Sequence, residues 1–421
     1  MRSTLSYFRN ASRRQWLLLG SAVLGLASSA TTLTFFLPLI LHKLTDSQLA
    51  IGFAVGVEGF IALTIPLVVG QASDRTWTRI GRRLPYMLAA SPLVFIGLIA
   101  VALAQSYWLI VAAVLVFFLG YYTYYTAYQA LYPDTLPPEE YGRAWSYLNI
   151  FQGIGVAVAL LGGGALVTMN LSAPFIAAAF FFVVVSGITM LGIHERRHRG
   201  HVAEAMPLYR ALPNFLNRLR RDANLRLFLA AHFFWEFTLA AIRAFVLLYL
   251  LQGLGLETGD LMVVLGIVIF TYLMASVVSG HIADAYDPRR YTSGVVLVYA
   301  VVMLITGLST NELLLRGTLP FGMFAGAAVL MLSYPILLRV TPKDRRGEYT
   351  GYYQFNRGLA LLIGTSTTGF LIDTFGHHFP QTDGYQVLWL TTAAAAFASL
   401  PFFLRLTARQ RESVGSRVRP S

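Results

Sequence analysis

The feature that most constrains this chain is a series of long apolar stretches separated by short polar segments. Stretches of about 20 apolar residues cross a bilayer as helices, because a helix satisfies its backbone polar groups within the segment. Twelve such stretches occur, at residues 16–41, 49–70, 85–104, 108–130, 143–168, 173–193, 225–251, 260–280, 291–310, 313–338, 349–372 and 387–406. We therefore expect an all-α integral membrane protein with twelve transmembrane helices.

Composition excludes most other classes of protein. Hydrophobic residues make up 56% of the chain and charged residues 12%, and the mean hydropathy is +0.60, far from a soluble domain. The 421 residues contain no cysteine, so thiol catalysis, disulfides and cysteine metal sites are excluded. The net charge is +12, and the basic residues lie in short loops between apolar spans. Basic loops of this kind orient a chain in the membrane, so we expect no nucleic-acid partner.

The distribution of basic residues predicts the orientation of the chain. Of the 32 Lys and Arg residues, 28 lie at the termini or in loops on the same side of the membrane as the termini. Only Lys43 and Arg316 lie in loops on the opposite side. Because Lys and Arg accumulate in cytoplasmic loops, we expect both termini in the cytoplasm and the protein in a plasma or inner membrane.

Two similar loops divide the chain into halves. Gly70-Gln-Ala-Ser-Asp-Arg, followed by basic residues up to Arg83, has a weaker copy 210 residues later, from Gly280 to Arg290. The expected domains are a six-helix bundle at 1–193, a cytoplasmic linker at 194–224 and a second bundle with a basic tail at 225–421. In the linker, Leu208, Leu212, Phe215, Leu216 and Leu219 share one helical face. This amphipathic segment either lies on the membrane surface or is an ordinary connector.

The paired loops resemble the loop between the second and third helices of major facilitator transporters. The extended form, Ser73-Asp74-Arg75 through Gly81-Arg82-Arg83, is similar to the sucrose-transporter and glycoside-pentoside-hexuronide symporter branch. The resemblance implies two pseudo-symmetric six-helix halves, alternating access and a loop that governs conformational exchange. The implied gate residues are Gly70, Asp74, Arg75, Gly81, Arg82, Arg83, Asp284 and Arg289. The alternative is topological anchoring by the positive charges alone.

Charged residues inside the spans are few and therefore informative, since each is costly in a bilayer. The clearest are Glu58 in the second span, Glu236 and Arg243 in the seventh, and Arg357 in the eleventh. The third, sixth, ninth and twelfth spans carry no charge between their flanking loops, and the resemblance implies that these four face lipid.

We expect the proton-coupling residues among these charges. His232, Glu236 and Arg243 are spaced by four and seven residues and so lie roughly on one helical face. Glu236 can carry a proton whose affinity depends on Arg243. The alternative for Glu236 and Arg243 is a purely structural ion pair, and the alternative for His232 is a hydrogen-bonded histidine without a coupling role. Glu58 and Arg357 lie about 12 and 10 residues from the cytoplasmic ends of their spans. Their matching depth predicts a contact between them, unless each finds partners in its own half.

A polar substrate needs directional hydrogen bonds and flat rings to stack on. The candidate substrate-binding residues are Tyr124, Tyr125, Tyr128, Gln129, Asn149, Gln152, Trp235, Tyr353, Gln354 and Asn356. The tyrosines of the fourth span can alternatively belong to an interfacial aromatic belt.

The preferred function is secondary active transport by alternating access, with proton-coupled symport of a sugar or glycoside. The shortage of acids in the second and fourth spans disfavours sodium coupling. Efflux of amphipathic drugs or lipids by proton antiport is the alternative, and a membrane protein without transport is the third class. No nucleotide loop, metal-ligand cluster or nucleophile arrangement is present, so we expect no enzyme activity, cofactor or metal. The expected partners are the lipid bilayer, a small-molecule substrate and a proton, and we expect a monomer.

Overall fold

The protein is described here from a computed structural model, which covers residues 2–76, 78–135, 141–193, 208–285, 288–341 and 346–415. Within these ranges, twelve helical segments are long and apolar enough to cross a membrane. This finding confirms the predicted all-α fold and its number of spans. The second and eleventh spans, Gln48–Ser73 and Tyr349–His378, are longer than predicted.

The described α-helices follow one another with short connections. They are α1 (Arg2–His42), α2 (Gln48–Arg75), α3 (Leu84–Leu103), α4 (Tyr107–Thr135), α5 (Tyr141–Ala157), α6 (Gly163–Val167), α7 (Ala173–Gly192), α8 (Leu208–Arg221), α9 (Ala223–Leu248), α10 (Thr258–Ala285), α11 (Pro288–Leu308), α12 (Glu312–Val340), α13 (Arg346–Phe375) and α14 (Val387–Gly415). A π-helical turn, Val158–Gly162, joins α5 and α6 into the fifth span, and a second, Tyr249–Gly253, extends α9, the seventh. The eleventh span is α13.

The chain forms two compact units. The first contains residues 1–45 and 61–205, and the second contains residues 46–60 and 206–421. These units differ from the predicted domains at residues 46–60, since the amino-terminal half of α2 groups with the second unit. The predicted linker helix is present as α8, whereas residues 194–207 lie outside the described part of the chain.

In the first unit, α1 packs against α4, α5 and α7, and α3 packs against α4 and α7. Two polar contacts bind α1 to its neighbours within this apolar core. The Tyr128 hydroxyl donates to the Leu19 carbonyl at 3.0 Å, and the Ser21 and Thr189 hydroxyls lie 2.7 Å apart. Each of these three hydroxyls therefore has a hydrogen-bond partner inside the unit.

In the second unit, α9 lies against α13 and α14, and sixteen of its residues are buried. Its first turn is capped by Asp222, whose Oδ1 accepts from the Leu225 N–H at 3.0 Å. The Asp222 Oδ2 also accepts from the Tyr349 hydroxyl of α13. This one carboxylate therefore sets where α9 begins and ties that end to α13.

Glycines allow the first half of α2 to lie against the backbone of α13. A Cβ at Gly52 would lie 2.2 Å from the Thr365 carbonyl oxygen, and one at Gly59 would lie 2.2 Å from the Gly358 carbonyl oxygen. A Cβ at Gly56 would lie 2.5 Å from Thr365 Oγ1. No larger side chain fits at these three positions without moving a helix.

Asp373, near the end of α13, caps the start of α2. Its carboxylate accepts from the backbone N–H groups of Gln48 at 2.7 Å and Leu49 at 2.9 Å, and from Ser47 Oγ at 3.0 Å. A carboxylate at a helix N-terminus is stabilised by the free N–H groups and by the helix dipole. Close by in the chain, burial raises the pKa of the Tyr385 phenol well above its ordinary value, and the carboxylates of Asp383 and Asp373 add to the effect.

Candidate functional site: buried charges on three helices

Glu236, at the centre of α9, is the most buried of the described charges in the spans. Its side chain is 5% exposed, and Oε2 lies 3.6 Å from Nε of Arg357 on α13. One turn earlier on α9, Nε2 of the fully buried His232 lies 3.3 Å from Oε1 of Glu236. The carboxylate therefore faces a guanidinium on one side and an imidazole on the other, so the structure brings together three of the five predicted coupling residues.

The His232 imidazole is held by α13 as well as by α9. Its Nδ1 lies 3.0 Å from Nδ2 of Asn356, which also donates to the Leu229 carbonyl at 3.1 Å. The Tyr353 ring stacks on the imidazole with a centroid separation of 4.0 Å. His232 is thus a positioned part of a polar network between α9 and α13.

A second ion pair lies two turns further along α9. Arg243 Nη2 lies 3.2 Å from Oε2 of Glu58 on α2, and both side chains are largely buried. The sequence analysis chose Arg357 as the partner of Glu58, and it did not anticipate this pairing with Arg243. The predicted contact between Glu58 and Arg357 stays a prediction.

Helix length brings Glu58 within reach of Arg243. α2 continues to Arg75, so Glu58 lies 17 residues from the end of α2, which is about 26 Å of helix. Arg243 lies 20 residues from the start of α9, about 30 Å along that helix. Gly59, next to Glu58, also packs on Gly358, next to Arg357, so α2 brings Glu58 close to both α9 and α13.

The four charged side chains balance one another. Each isolated charge at this depth would cost about 3 kcal/mol or more, and removing one partner of a buried pair typically costs about 3–5 kcal/mol. Two carboxylates and two guanidinium groups form two ion pairs, joined through α9. Any event that neutralises one carboxylate therefore changes the electrostatic balance of all three helices.

Five of the predicted substrate-binding residues are buried, each within its own unit, and their assignment as cavity lining stays a prediction. Tyr124 is fully buried, the Tyr128 hydroxyl is bonded to α1, and Trp235 Nε1 donates to Ser399 Oγ at 3.0 Å. Tyr353 is bonded through its hydroxyl to Ser333 at 2.8 Å, and Asn356 to Leu229 and His232. From one helix alone these residues resemble ligand-binding groups, because burial by neighbouring helices is not visible in the sequence.

The other five predicted residues keep accessible side chains. Tyr125 is half-buried, and its hydroxyl accepts from Gln129 Nε2 at 2.6 Å. The Tyr125 ring also stacks on Tyr121, one turn earlier, with centroids 5.8 Å apart and an interplanar angle of 10°. Asn149, Gln152 and Gln354 are exposed. Tyr121 extends this ring surface at a spacing of four residues.

The loop after α2 is fastened to the first unit. The buried Arg83 donates from Nη1 to Ser73 Oγ, and the hydroxyls of Thr76 and Tyr86 lie 2.7 Å apart. Gly81 has φ 122°, in the region that favours glycine, whereas a Cβ at Gly70 would meet only Thr126 Cγ2, at 3.8 Å. Gly70 therefore has room for a Cβ. A positive φ explains the glycine at position 81.

The remaining gate residues are described only in part. Arg75 is exposed and Arg82 is half-buried. The side chains of Asp74, Asp284 and Arg289 lie outside the described residues. The choice between a gate and a topological anchor therefore stays a prediction.

Two functional features were missed by the sequence analysis. The glycines at 52, 56 and 59 form a small-residue face on α2, and their spacing of four and three residues was available in the sequence. The second missed feature is the capping of α2 by Asp373. Asp373 lies just beyond the predicted end of the eleventh span at 372, and no sequence pattern links it to α2.

A twelve-span helical fold with balanced charges buried among its spans defines a polytopic membrane protein. The sequence profile of the Major Facilitator Superfamily matches residues 17–270 and 237–420. The chain belongs to this superfamily, and it is a membrane transporter with the fold of that superfamily.

Solved structures agree with this fold. A bacterial homologue of the human lysosomal transporter Spinster, in an inward-facing and occupied conformation, is 13% identical, with a TM-score of 0.77 over 98% of this chain and 99% of that chain. A point mutant of the nucleoside transporter NupG is also 13% identical, with a TM-score of 0.77 over 93% of this chain and 98% of that chain. At this level of identity, the likeness concerns the fold alone.

Proposed function

We propose that the protein is a secondary active transporter that couples the uptake of a sugar or glycoside to a proton by alternating access. The observation that carries this proposal is the position of Glu236, buried between His232 Nε2 at 3.3 Å and Arg357 Nε at 3.6 Å. A buried carboxylate with a cationic partner is a group whose protonation changes the local charge balance.

Glu236 acts as the proton carrier in this proposal. In the charged form its carboxylate stabilises Arg357 electrostatically. Protonation removes one counter-charge of Arg357, and an imperfectly compensated cation inside the bilayer costs several kcal/mol. The protein then favours the conformation in which the guanidinium is better compensated. The pair formed by Glu58 and Arg243 is the second candidate for the same role.

The substrate class rests on the accessible polar and aromatic groups. In the first unit, the paired Tyr125 and Gln129 and the exposed amides of Asn149 and Gln152 supply donors, acceptors and a flat ring. Such a set suits a hydroxyl-rich ligand, which binds through directional hydrogen bonds and stacking. The similarity of the Ser73 to Arg83 loop to the sucrose-transporter and glycoside-pentoside-hexuronide symporters supports the same class.

The proposed location is a plasma or inner membrane with both termini in the cytoplasm, which follows from the distribution of Lys and Arg. The proposed working unit is a monomer, with the bilayer and a small-molecule substrate as its partners.

Uptake into proteoliposomes tests the function. Purified protein is offered a panel of labelled sugars and glycosides with and without an inward proton gradient. We expect at least one of them to accumulate only when the gradient is imposed. Failure of every sugar, together with extrusion of a lipophilic dye, would replace uptake by the alternative, efflux of amphipathic compounds.

Three variants test the coupling residue. Glu236→Gln should lower gradient-driven accumulation by about tenfold or more while equilibrium exchange is retained, because glutamine imitates the protonated carboxyl but cannot release a proton. Glu58→Gln reports on the second candidate. Glu257→Gln, at an exposed acid before α10, is the matched control and should behave like the parent. Normal accumulation by both Glu236→Gln and Glu58→Gln would show that neither acid carries the proton.

A further inference from the structure

We propose that Asn356 is a positioning residue that keeps the His232 imidazole neutral, with its single proton on Nε2, so that Glu236 and not His232 receives the coupling proton. This inference rests on the proposed proton coupling, and it adds a role for a residue that touches neither proton carrier nor substrate.

The orientation of the Asn356 amide follows from its backbone partner. The side-chain amide is buried, and its Nδ2 lies 3.1 Å from the Leu229 carbonyl oxygen. A carbonyl oxygen can only accept, so the NH2 group of the amide must face it. The reversed amide would place two acceptors against each other in a buried site, which costs about 1–3 kcal/mol.

The amide orientation determines the tautomer of His232. Nδ2 carries a second hydrogen, and His232 Nδ1 lies 3.0 Å away, so Nδ1 accepts a hydrogen bond and carries no proton. A neutral imidazole then has its proton on Nε2, which lies 3.3 Å from Glu236 Oε1. A doubly protonated imidazole would direct an N–H group at the N–H group of Asn356.

The surrounding rings hold the imidazole in this orientation. The Tyr353 ring stacks on it with centroids 4.0 Å apart, and the Phe228 ring lies nearly parallel to it, with an interplanar angle of 9°. These two rings fix the plane of the imidazole. A 180° flip within that plane would remove the bond from Asn356 to Nδ1, so Asn356 determines which nitrogen carries the proton.

Other titratable groups around Glu236 and His232 come from each neighbouring helix. They are Arg243 on α9, Arg357 and Tyr353 on α13, Tyr334 on α12, Tyr272 on α10, Tyr299 on α11 and Glu58 on α2. α14 has no titratable side chain between Val387 and Leu404. Among these described groups, His232 lies nearest to Glu236, with Nε2 3.3 Å from Oε1, so it is the side chain placed to receive a proton in place of Glu236.

Competition by His232 would uncouple the transporter. A proton on His232 would leave the Glu236 carboxylate charged, and Arg357 would keep its counter-charge. The proton would then be bound without changing the ion pair between α9 and α13. Asn356 prevents this outcome because its N–H group opposes the second proton on the imidazole.

A spectroscopic measurement tests the tautomer directly. In protein labelled with ¹⁵N-histidine, the His232 signals, assigned by their loss in His232→Gln, should show an unprotonated Nδ1 and a protonated Nε2. Asn356→Asp places an acceptor against Nδ1, so a proton should appear on Nδ1 as well. A cationic His232 in the parent, or a neutral His232 in Asn356→Asp, would overturn the inference.

Transport measurements test its consequence. Asn356→Asp should reduce gradient-driven accumulation by about tenfold with exchange retained, and adding His232→Gln should remove that effect, so that the double variant matches His232→Gln alone. Retained exchange shows that the variant is folded. Additive losses in the double variant would contradict action through His232. If the parent itself shows no gradient-driven accumulation, the proposed function fails, while the ¹⁵N spectra still decide the tautomer.

Discussion

Gly81 is the residue in the loop between α2 and α3 that tolerates substitution least. Its φ of 122° is strained for any residue with a Cβ. Gly81→Ala should therefore destabilise the loop by about 1–3 kcal/mol and slow substrate exchange. Gly70→Ala is the matched control, since Gly70 is helical and a Cβ there has ordinary contacts. Thermal unfolding in detergent and exchange rates in proteoliposomes measure both, and equal behaviour of the two variants would exclude a backbone role for Gly81.

The sequence predicts which charged residues lie inside the spans, but it does not predict which residues they pair with. Glu58, Glu236, Arg243 and Arg357 stand out in apolar spans because an unexplained charge is costly there. Their pairing depends on helix ends, and Ser73-Asp74-Arg75 has a loop-like composition although it is the last turn of α2. The partner of Asn356 was equally unpredictable from the sequence, because its amide can donate a hydrogen bond to a ligand or to a backbone carbonyl.

The packing of α2 on α13 requires small side chains on α2. Gly56→Val should separate the two helices, because a Cβ alone would lie 2.5 Å from Thr365 Oγ1. Spin labels on cysteines introduced at Leu49 and Thr374, both exposed, should report a longer and broader distance than in the parent. Gly266→Val on α10 has open space and should leave the distance unchanged. An unaltered distance in Gly56→Val would show that α2 does not depend on these glycines.

The elements themselves were the most predictable level of this molecule. An apolar run of about 20 residues has one stable outcome in a bilayer, so hydropathy alone located all twelve spans. The ends were less predictable where polar residues continue a helix beyond the apolar core. Asp373 and Thr374 still belong to α13, and the carboxylate that caps α2 therefore lay outside the predicted span.

For the whole molecule, the absence of cysteine makes orientation directly measurable. Lys43→Cys, exposed between the first and second spans, should react with a membrane-impermeant maleimide in intact cells. Arg220→Cys, exposed on α8, should react only after the membrane is permeabilised. This pattern follows from the predicted cytoplasmic termini. The reverse pattern would invert the proposed orientation.

The division of α2 between two units has a mechanical consequence. Residues 46–60 pack in the second unit and residues 61–75 belong to the first, so one continuous helix is shared by both. Pro66 lacks a backbone N–H, so α2 has one fewer helical hydrogen bond just after the division. The half of α2 that carries Glu58 and its pairing with Arg243 is therefore separated from the rest of the helix by its weakest turn.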